Sequence, residues 1–334
     1  MLIINNRKVG KGYPTYIIAE IGVNHNGDVD LALKMVEAAK QAGADAVKVQ
    51  IIDPDKSYAK GTESYEIFKK VYISLDDWRR VCAKAKELEI DIFATFTDPN
   101  DMALVNELGF PVIKISSSNV TNFPLLKAAA KTGKPIIMST GLSYLSEVDE
   151  AARYLEDHGC TQMAILHCTS LYPTPPEEVN LRAITTLTQA FPYPIGFSEH
   201  TVGIHCSVAA VALGARIIEK HFTLDQKMEG PDHYFSSTPE EFKALVHAVR
   251  EVERALGTGI KKPAEKELPE RLKLQRVLVA GEPIKEGEFL TAENVTAKRS
   301  SRQGLSPKWY DTILGRASRR ALGKDDPVTL DEIL

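Results

Sequence analysis

Between Tyr16 and Ile51 the chain reads YIIAEIGVNHNGDVDLALKMVEAAKQAGADAVKVQI, and this stretch decides the fold. It opens on a continuous apolar run, Tyr16–Ile21, and closes on a second, Ala46–Ile51. Neither alternates polar with apolar residues, as a strand with one wet face would. Between them Leu31, Met35, Ala38, Ala39 and Ala42 recur at helical spacing over Val29–Ala42, with Asp28 placed to cap the start and Gly43 to stop the end. A helix joining two strands that are each buried on both faces is the unit of a parallel sheet.

The unit repeats. Further apolar runs lie at Ile90–Thr95, Val112–Ile115, Pro135–Ser139, Met163–Cys168, Ile195–Ser198 and Ile217–Phe222, eight in all. Amphipathic stretches at Asp76–Leu88, Asp98–Leu108, Phe123–Thr132, Glu147–His158, Leu181–Phe191, Ile204–Leu213 and Pro239–Leu256 follow the later runs. Eight such units within about 250 residues predict an α/β chain folded as a (β/α)8 TIM barrel. A doubly wound sheet is the alternative, and the lack of a GxGxxG turn after the first strand counts against it. The barrel is assigned to residues 1–260. Residues 261–275 are charged and carry Pro263 and Pro269, which reads as a linker. Residues 276–334 hold short strand-like runs, Val277–Ala280 and Val295–Lys298, in a domain too small to be more than marginal alone. The segment Asp53–Ser74, with Tyr58, Tyr65, Phe68 and Tyr72, is long for a βα loop and reads as a lid, a packed excursion or a dimer contact.

Composition narrows the function. Among 334 residues, 41 Lys and Arg stand against 45 Asp and Glu, for a net charge of −4 and no basic stripe, which argues against nucleic acid as a partner. No apolar run approaches the roughly 20 residues of a membrane span. The start, Met1-Leu2-Ile3-Ile4-Asn5-Asn6-Arg7, lacks the layout of a signal peptide. Cys82, Cys160, Cys168 and Cys206 show no CxxC spacing, so free thiols and a cytoplasmic location are expected.

Barrel chemistry sits at the C-terminal ends of the strands. Those ends carry Glu20; Lys48 and Gln50; Thr95; Lys114, Ser117 and Asn119; Ser139; His167 and Ser170; Ser198 and His200; and Glu219 and His221. Ionisable groups inside apolar runs are costly without a purpose. Lys48 and Lys114 with the hydroxyls around them suit a phosphate and a carboxylate, although structural ion pairs or a Schiff-base lysine would also explain them. His200 and His221 end consecutive strands, which suits a divalent metal, Mn²⁺ foremost with Mg²⁺ or Co²⁺ as alternatives. A lone histidine there would be an ordinary hydrogen-bonded core residue. Glu20 is placed for proton transfer, and Asp232 lies in the turn-rich loop Glu229-Gly230-Pro231-Asp232-His233 after the last strand.

Several longer stretches carry a resemblance. Ile18-Ala19-Glu20-Ile21-Gly22-Val23-Asn24-His25-Asn26-Gly27, Gly43–Gln50, Leu166-His167-Cys168-Thr169-Ser170-Leu171-Tyr172-Pro173-Thr174-Pro175, Gly196-Phe197-Ser198-Glu199-His200-Thr201 and Ile218-Glu219-Lys220-His221-Phe222-Thr223 resemble the sialic acid (N-acetylneuraminate) synthase family. The tail, with Ile284-Lys285-Glu286-Gly287-Glu288-Phe289-Leu290-Thr291 and Lys298-Arg299, is similar to the antifreeze-like (SAF) domain that ends those enzymes.

The resemblance implies a metal-dependent transferase of carbohydrate biosynthesis. It would condense phosphoenolpyruvate with N-acetylmannosamine or a related N-acyl aminohexose, giving a nine-carbon 2-keto sugar acid and phosphate. It further implies His200 and His221 as metal ligands and Glu20 as acid/base. Lys48, Thr95, Lys114, Ser117, Ser139 and Ser198 would hold phosphate and carboxylate, with Gln50, Asn119 and Ser170 completing the substrate-facing set. Tyr172 and Asp232 would line the sugar side, and Arg299 would arrive from the tail of a partner in a domain-swapped homodimer. The chain departs from the family pattern at Ser116-Ser117-Ser118-Asn119, where Gly-Ser-Gly-Glu is usual, at Ser170, where Asn is frequent, and at Ser300-Ser301, where Pro-Gly is usual. Legionaminic, pseudaminic or spore-coat polysaccharide synthases of the same family are therefore alternatives, and an inactive, carbohydrate-binding barrel is one of another class.

Overall fold

A computed structural model describes residues 1–333. The chain enters through a two-stranded antiparallel hairpin, β1 (Leu2–Ile4) and β2 (Arg7–Val9). Eight parallel strands then close into a barrel: β3 (Tyr16–Gly22), β4 (Ala46–Gln50), β5 (Asp91–Thr95), β6 (Ile113–Ile115), β7 (Ile136–Ser139), β8 (Met163–Cys168), β9 (Ile195–Glu199) and β10 (Ile217–His221). Their order around the barrel follows the chain, and β10 returns to pair with β3, Ile217 opposite Tyr16 and His221 opposite Glu20. The expected TIM barrel is therefore present, with strand limits within a residue of the apolar runs.

The two-sided burial of these strands explains their unbroken apolar character. Inside, side chains fill the barrel; outside, helices cover it. The helix Val29–Gln41 buries Ala32, Met35, Val36 and Ala39, and Asp28 caps it by accepting from the backbone N–H of Asp30 (2.8 Å) and Leu31 (3.2 Å). The expected helix over Asp98–Leu108 is instead a 3₁₀ turn, Pro99–Met102, running into a short α-helix, Ala103–Glu107; Pro99 and the Asp98 cap favour the tighter first turn. The long segment after β4 folds into two short helices, Pro54–Ser57 and Glu63–Lys70, with Tyr58 stacked on Phe68 at 5.2 Å and Tyr65 buried.

The hairpin β1–β2 joins the same core through Leu2, Ile4 and Val9. Its partners all lie at strand beginnings: the Ile3 N–H donates to Gln162, Asn5 donates to Asp91, and Arg7 pairs with Asp45. The hairpin thus closes the end of the barrel opposite the strand C-termini.

The described residues form two compact units, Met1–Gly257 and Thr258 onward. In the second, the segment expected as a linker carries a helix, Leu268–Leu274, ahead of an antiparallel pair, β11 (Arg276–Ala280) and β12 (Val295–Arg299). Leu278, Ile284, Leu290, Ile313, Leu322 and Val328 make its core. No helix among the described residues is long and apolar enough to cross a membrane, and all four cysteines are unpaired.

Gly196 shows how closely the barrel interior is filled. A Cβ there would lie 2.4 Å from Leu166 Cδ2 and 2.6 Å from the Ile217 carbonyl oxygen. Gly196→Ala should therefore lower stability by about 1–3 kcal/mol, read as a lower midpoint in chemical denaturation.

Candidate active site

Because successive residues of a strand face opposite sides, the inward positions of neighbouring strands form layers. The layer at the C-terminal rim is charged. Glu20 on β3 lies opposite Lys48 on β4, and their side chains form a buried ion pair of 2.8 Å. The Lys48 ammonium also donates to Thr95 on β5 (3.2 Å). Lys114 on β6 donates to Ser139 on β7 (2.7 Å). Glu219 on β10 accepts from Ser198 on β9 (3.0 Å) and lies 3.6 Å from Lys114 and 3.7 Å from Lys48. Gln50 donates to Glu20 at 2.9 Å. Seven of the eight strands thereby contribute to one polar ring.

The ring holds two carboxylates and two ammonium groups away from water, and their titrations diverge. Burial pushes Glu20 up to about 7, despite the opposing pull of Lys48, with Glu219 adding to the rise. Burial also disfavours the charge of Glu219, but Lys114, Lys48 and Ser198 outweigh it and hold this carboxyl below its ordinary value. Burial lowers Lys114 more than Glu219 restores it, whereas Lys48, with both carboxylates nearby, is raised despite its burial. Glu20 is thus the member that can gain or lose a proton near neutrality.

Above the ring stand the two histidines, ring centroids 5.2 Å apart. Burial pushes His200 down to about 4, and His221 well below its usual value with help from the fields of His200 and Lys48. Both imidazoles are neutral at physiological pH, the state a metal ligand requires. His200 Nδ1 meets the Thr169 carbonyl at 2.8 Å, which leaves Nε2 as the ring nitrogen for a ligand. His221 Nδ1 is buried without a hydrogen-bond partner, with Asp232 Oδ2 3.5 Å away. Asp232 is itself raised to about 6 by burial. Two neutral imidazoles, one with a buried nitrogen that lacks any partner, fit a divalent cation. Among the described residues no set of three or more protein groups makes a complete metal cage, so water or substrate oxygens would have to fill the other positions.

Tyr172 covers His200 at 4.2 Å, and Phe235 packs beside both Tyr172 (5.7 Å) and His221 (5.0 Å). On the opposite side, Ser117 accepts from the Gly141 N–H (2.9 Å), and a Cβ at Gly141 would come within 2.3 Å of Ser170 Oγ and 2.9 Å of Ser117 Oγ. Ser117, Ser170 and Gly141 thus form one cradle.

Two further residues singled out in the sequence have local settings of their own. Asn119 donates to Ser116 (2.8 Å) and accepts from Asn122 (2.9 Å), so its amide is spent on the turn into the helix Phe123–Lys131. Arg299 belongs to the second unit, exposed at the end of β12. His167, an open question in the sequence, is tied to the Val179 carbonyl at 2.6 Å. Conversely, Glu219 holds the ring together, although the sequence marks it only as a polar strand end. Its signal was legible: it precedes His221 by two, hence shares its face. Gly141 had no such signal.

A family model described as the NeuB family matches residues 35–261, and one for the SAF domain matches residues 275–334. The chain is 40% identical over 328 residues to an N,N'-diacetyllegionaminic acid synthase of Campylobacter jejuni, covering 93% of this chain and 98% of that one. It is 37% identical over 339 residues to a human N-acetylneuraminate-9-phosphate synthase, covering 96% and 93%. The crystal structure of an N-acetylneuraminic acid (sialic acid) synthetase from Leptospira borgpetersenii superposes with a TM-score of 0.77 at 34% identity, covering 82% and 96%. The chain belongs to the NeuB family, as a sugar-acid synthase whose barrel is followed by a SAF domain.

Proposed function

We propose that this synthase condenses phosphoenolpyruvate with the open-chain aldehyde of an N-acyl aminohexose, N-acetylmannosamine or a 2,4-diacylated relative, in the presence of a divalent metal. The convergence of Lys48, Lys114, His200 and His221 on one rim carries the reading. Carbon 3 of phosphoenolpyruvate bonds to the aldehyde carbon, whose oxygen takes up a proton. Water adds at C2, and the C2–O bond to phosphate breaks, leaving a nine-carbon 2-keto acid and inorganic phosphate.

Lys48 and Lys114 hold the phosphate and carboxylate by charge, and Thr95, Ser117, Ser139 and Ser198 orient them by hydrogen bonds. Gln50 fixes the Glu20 carboxyl, which removes the proton of the attacking water or supplies one to the sugar oxygen. Tyr172 walls the sugar side, Asp232 accepts from a sugar hydroxyl, and Ser170 supports the anion cradle. A divalent cation held by His200 and His221, Mn²⁺ foremost, would polarise the aldehyde oxygen when bound.

No arginine lies among the strand ends of the barrel to donate to the acyl and hydroxyl oxygens of the sugar. Arg299 of a partner chain would do so in a domain-swapped homodimer. Two features support this assignment. Arg302 is tied to Asp326 (2.9 Å), whereas Arg299 forms no ion pair among the described residues. The rim loops after β7 and β9 also expose Leu142 (78%), Tyr144 (80%) and Val202 (64%), apolar side chains that a second copy would cover.

Purified protein given Mn²⁺, phosphoenolpyruvate and a panel of N-acyl aminohexoses should release phosphate only when both substrates are present. A chelator should stop it, and His200→Ala and His221→Ala should each cost at least about 100-fold in kcat, the scale of a lost metal contribution. Turnover unaffected by chelation would reject the metal, and no phosphate release with any sugar would favour a binding protein. Gly141→Ala should raise KM for phosphoenolpyruvate about tenfold, since the new methyl displaces the Ser117 and Ser170 hydroxyls. Arg299→Ala should raise KM for the sugar. Mixing it with His200→Ala should restore part of the activity, because one site of a mixed dimer would have an intact barrel and an intact tail; no recovery would argue against exchange of tails.

A further inference from the structure

On the outer side of β9 and β10, between the residues that face the mouth, lies a second ion pair. Glu199 and Lys220 are directly opposite in the strand register, and their charged ends meet at 3.2 Å with side-chain exposures of 0% and 2%. The surroundings satisfy both groups. Glu199 accepts from the hydroxyls of Thr201 and Ser207, and Lys220 donates to the Thr201 carbonyl at 2.9 Å. Thr201 is therefore held at both its hydroxyl and its carbonyl, and it is the residue directly after His200.

The outer face of a barrel strand is ordinarily apolar, because it packs beneath helices. A buried ion pair is a poor source of stability there: replacing one by apolar side chains of similar volume is often neutral or stabilising by about 1–4 kcal/mol. What the pair supplies is geometry. It locks β9 to β10 at the step between Ser198 and His200 on one strand and between Glu219 and His221 on the other.

We propose that Glu199 and Lys220 are positioning residues that set the spacing of the two imidazoles for the metal, an inference that rests on the metal reading above. Neither touches substrate; both act through the backbone of His200 and His221.

The double variant Glu199→Gln/Lys220→Met removes both charges, keeps an acceptor for the two hydroxyls and preserves volume. It should fold with an unchanged or higher midpoint. Its Mn²⁺ affinity, measured by titration followed through the electron paramagnetic resonance signal of free Mn²⁺, should fall at least about tenfold. Its kcat should fall by a larger factor than KM for phosphoenolpyruvate rises, since both lysines of that set stand on other strands and only Ser198 of its hydroxyls lies on β9. Glu199→Asp, which keeps the charge but shortens its reach, should shift the same quantities in the same direction and replaces the double variant if that one does not fold. Mn²⁺ affinity and kcat within twofold of the unsubstituted protein, with binding still lost in His200→Ala, would overturn the positioning role alone. No Mn²⁺ binding by the unsubstituted protein would overturn the metal reading and the positioning role together.

Discussion

The site depends on four buried charges that hold one another in place. Glu20, Lys48, Glu219 and Lys114 form a chain of opposite charges across the barrel mouth, and each is the reason its neighbours can remain in a medium that disfavours ions. Removing any one leaves an uncompensated charge, a defect that costs about 3–5 kcal/mol in buried pairs. The quartet is therefore not a stabilising device. It is maintained by the closure of the barrel, which brings strands far apart in sequence to adjacent positions on a fixed ring. With both carboxylates ionised the quartet is neutral. Uptake of a proton by Glu20 gives it net positive charge, the sign an incoming anion requires.

Much of this was readable beforehand because the barrel converts sequence position into spatial position by a simple rule. Runs such as Met163–Cys168 are apolar throughout since they face packed atoms on both sides, so their limits stood out. Once eight strands were counted, the polar residue closing each run had to lie on the common rim. Lys48, Lys114, His200 and His221 followed from that rule alone. Their roles did not: composition distinguishes neither a phosphate site from a Schiff-base site nor a metal ligand from a hydrogen-bonded histidine. That distinction came from the resemblance to a family.

What escaped the sequence was governed by contacts between distant segments. Asn119, by contrast, is four residues past the end of its strand, where the alternation rule no longer applies, and its amide meets its own turn at Ser116 and Asn122. Gly141 matters through the space it leaves for Ser170 and Ser117, and an absent side chain gives no pattern. The hairpin β1–β2 is too short to announce itself, and its partners at Asp45, Asp91 and Gln162 are set by the barrel as a whole.

The pairing of β10 with β3 also bears on how the chain reaches this state. Synthesis delivers the segment beginning at Tyr16 long before the one ending at His221, so the edge of the nascent sheet stays open for about 200 residues of elongation. At roughly 5–20 residues per second this interval lasts on the order of ten seconds or more. Throughout it, an apolar strand with unpaired amides is available to any other chain. Until β10 arrives, the Tyr16 edge is thus a place where a growing chain of this architecture is open to aggregation.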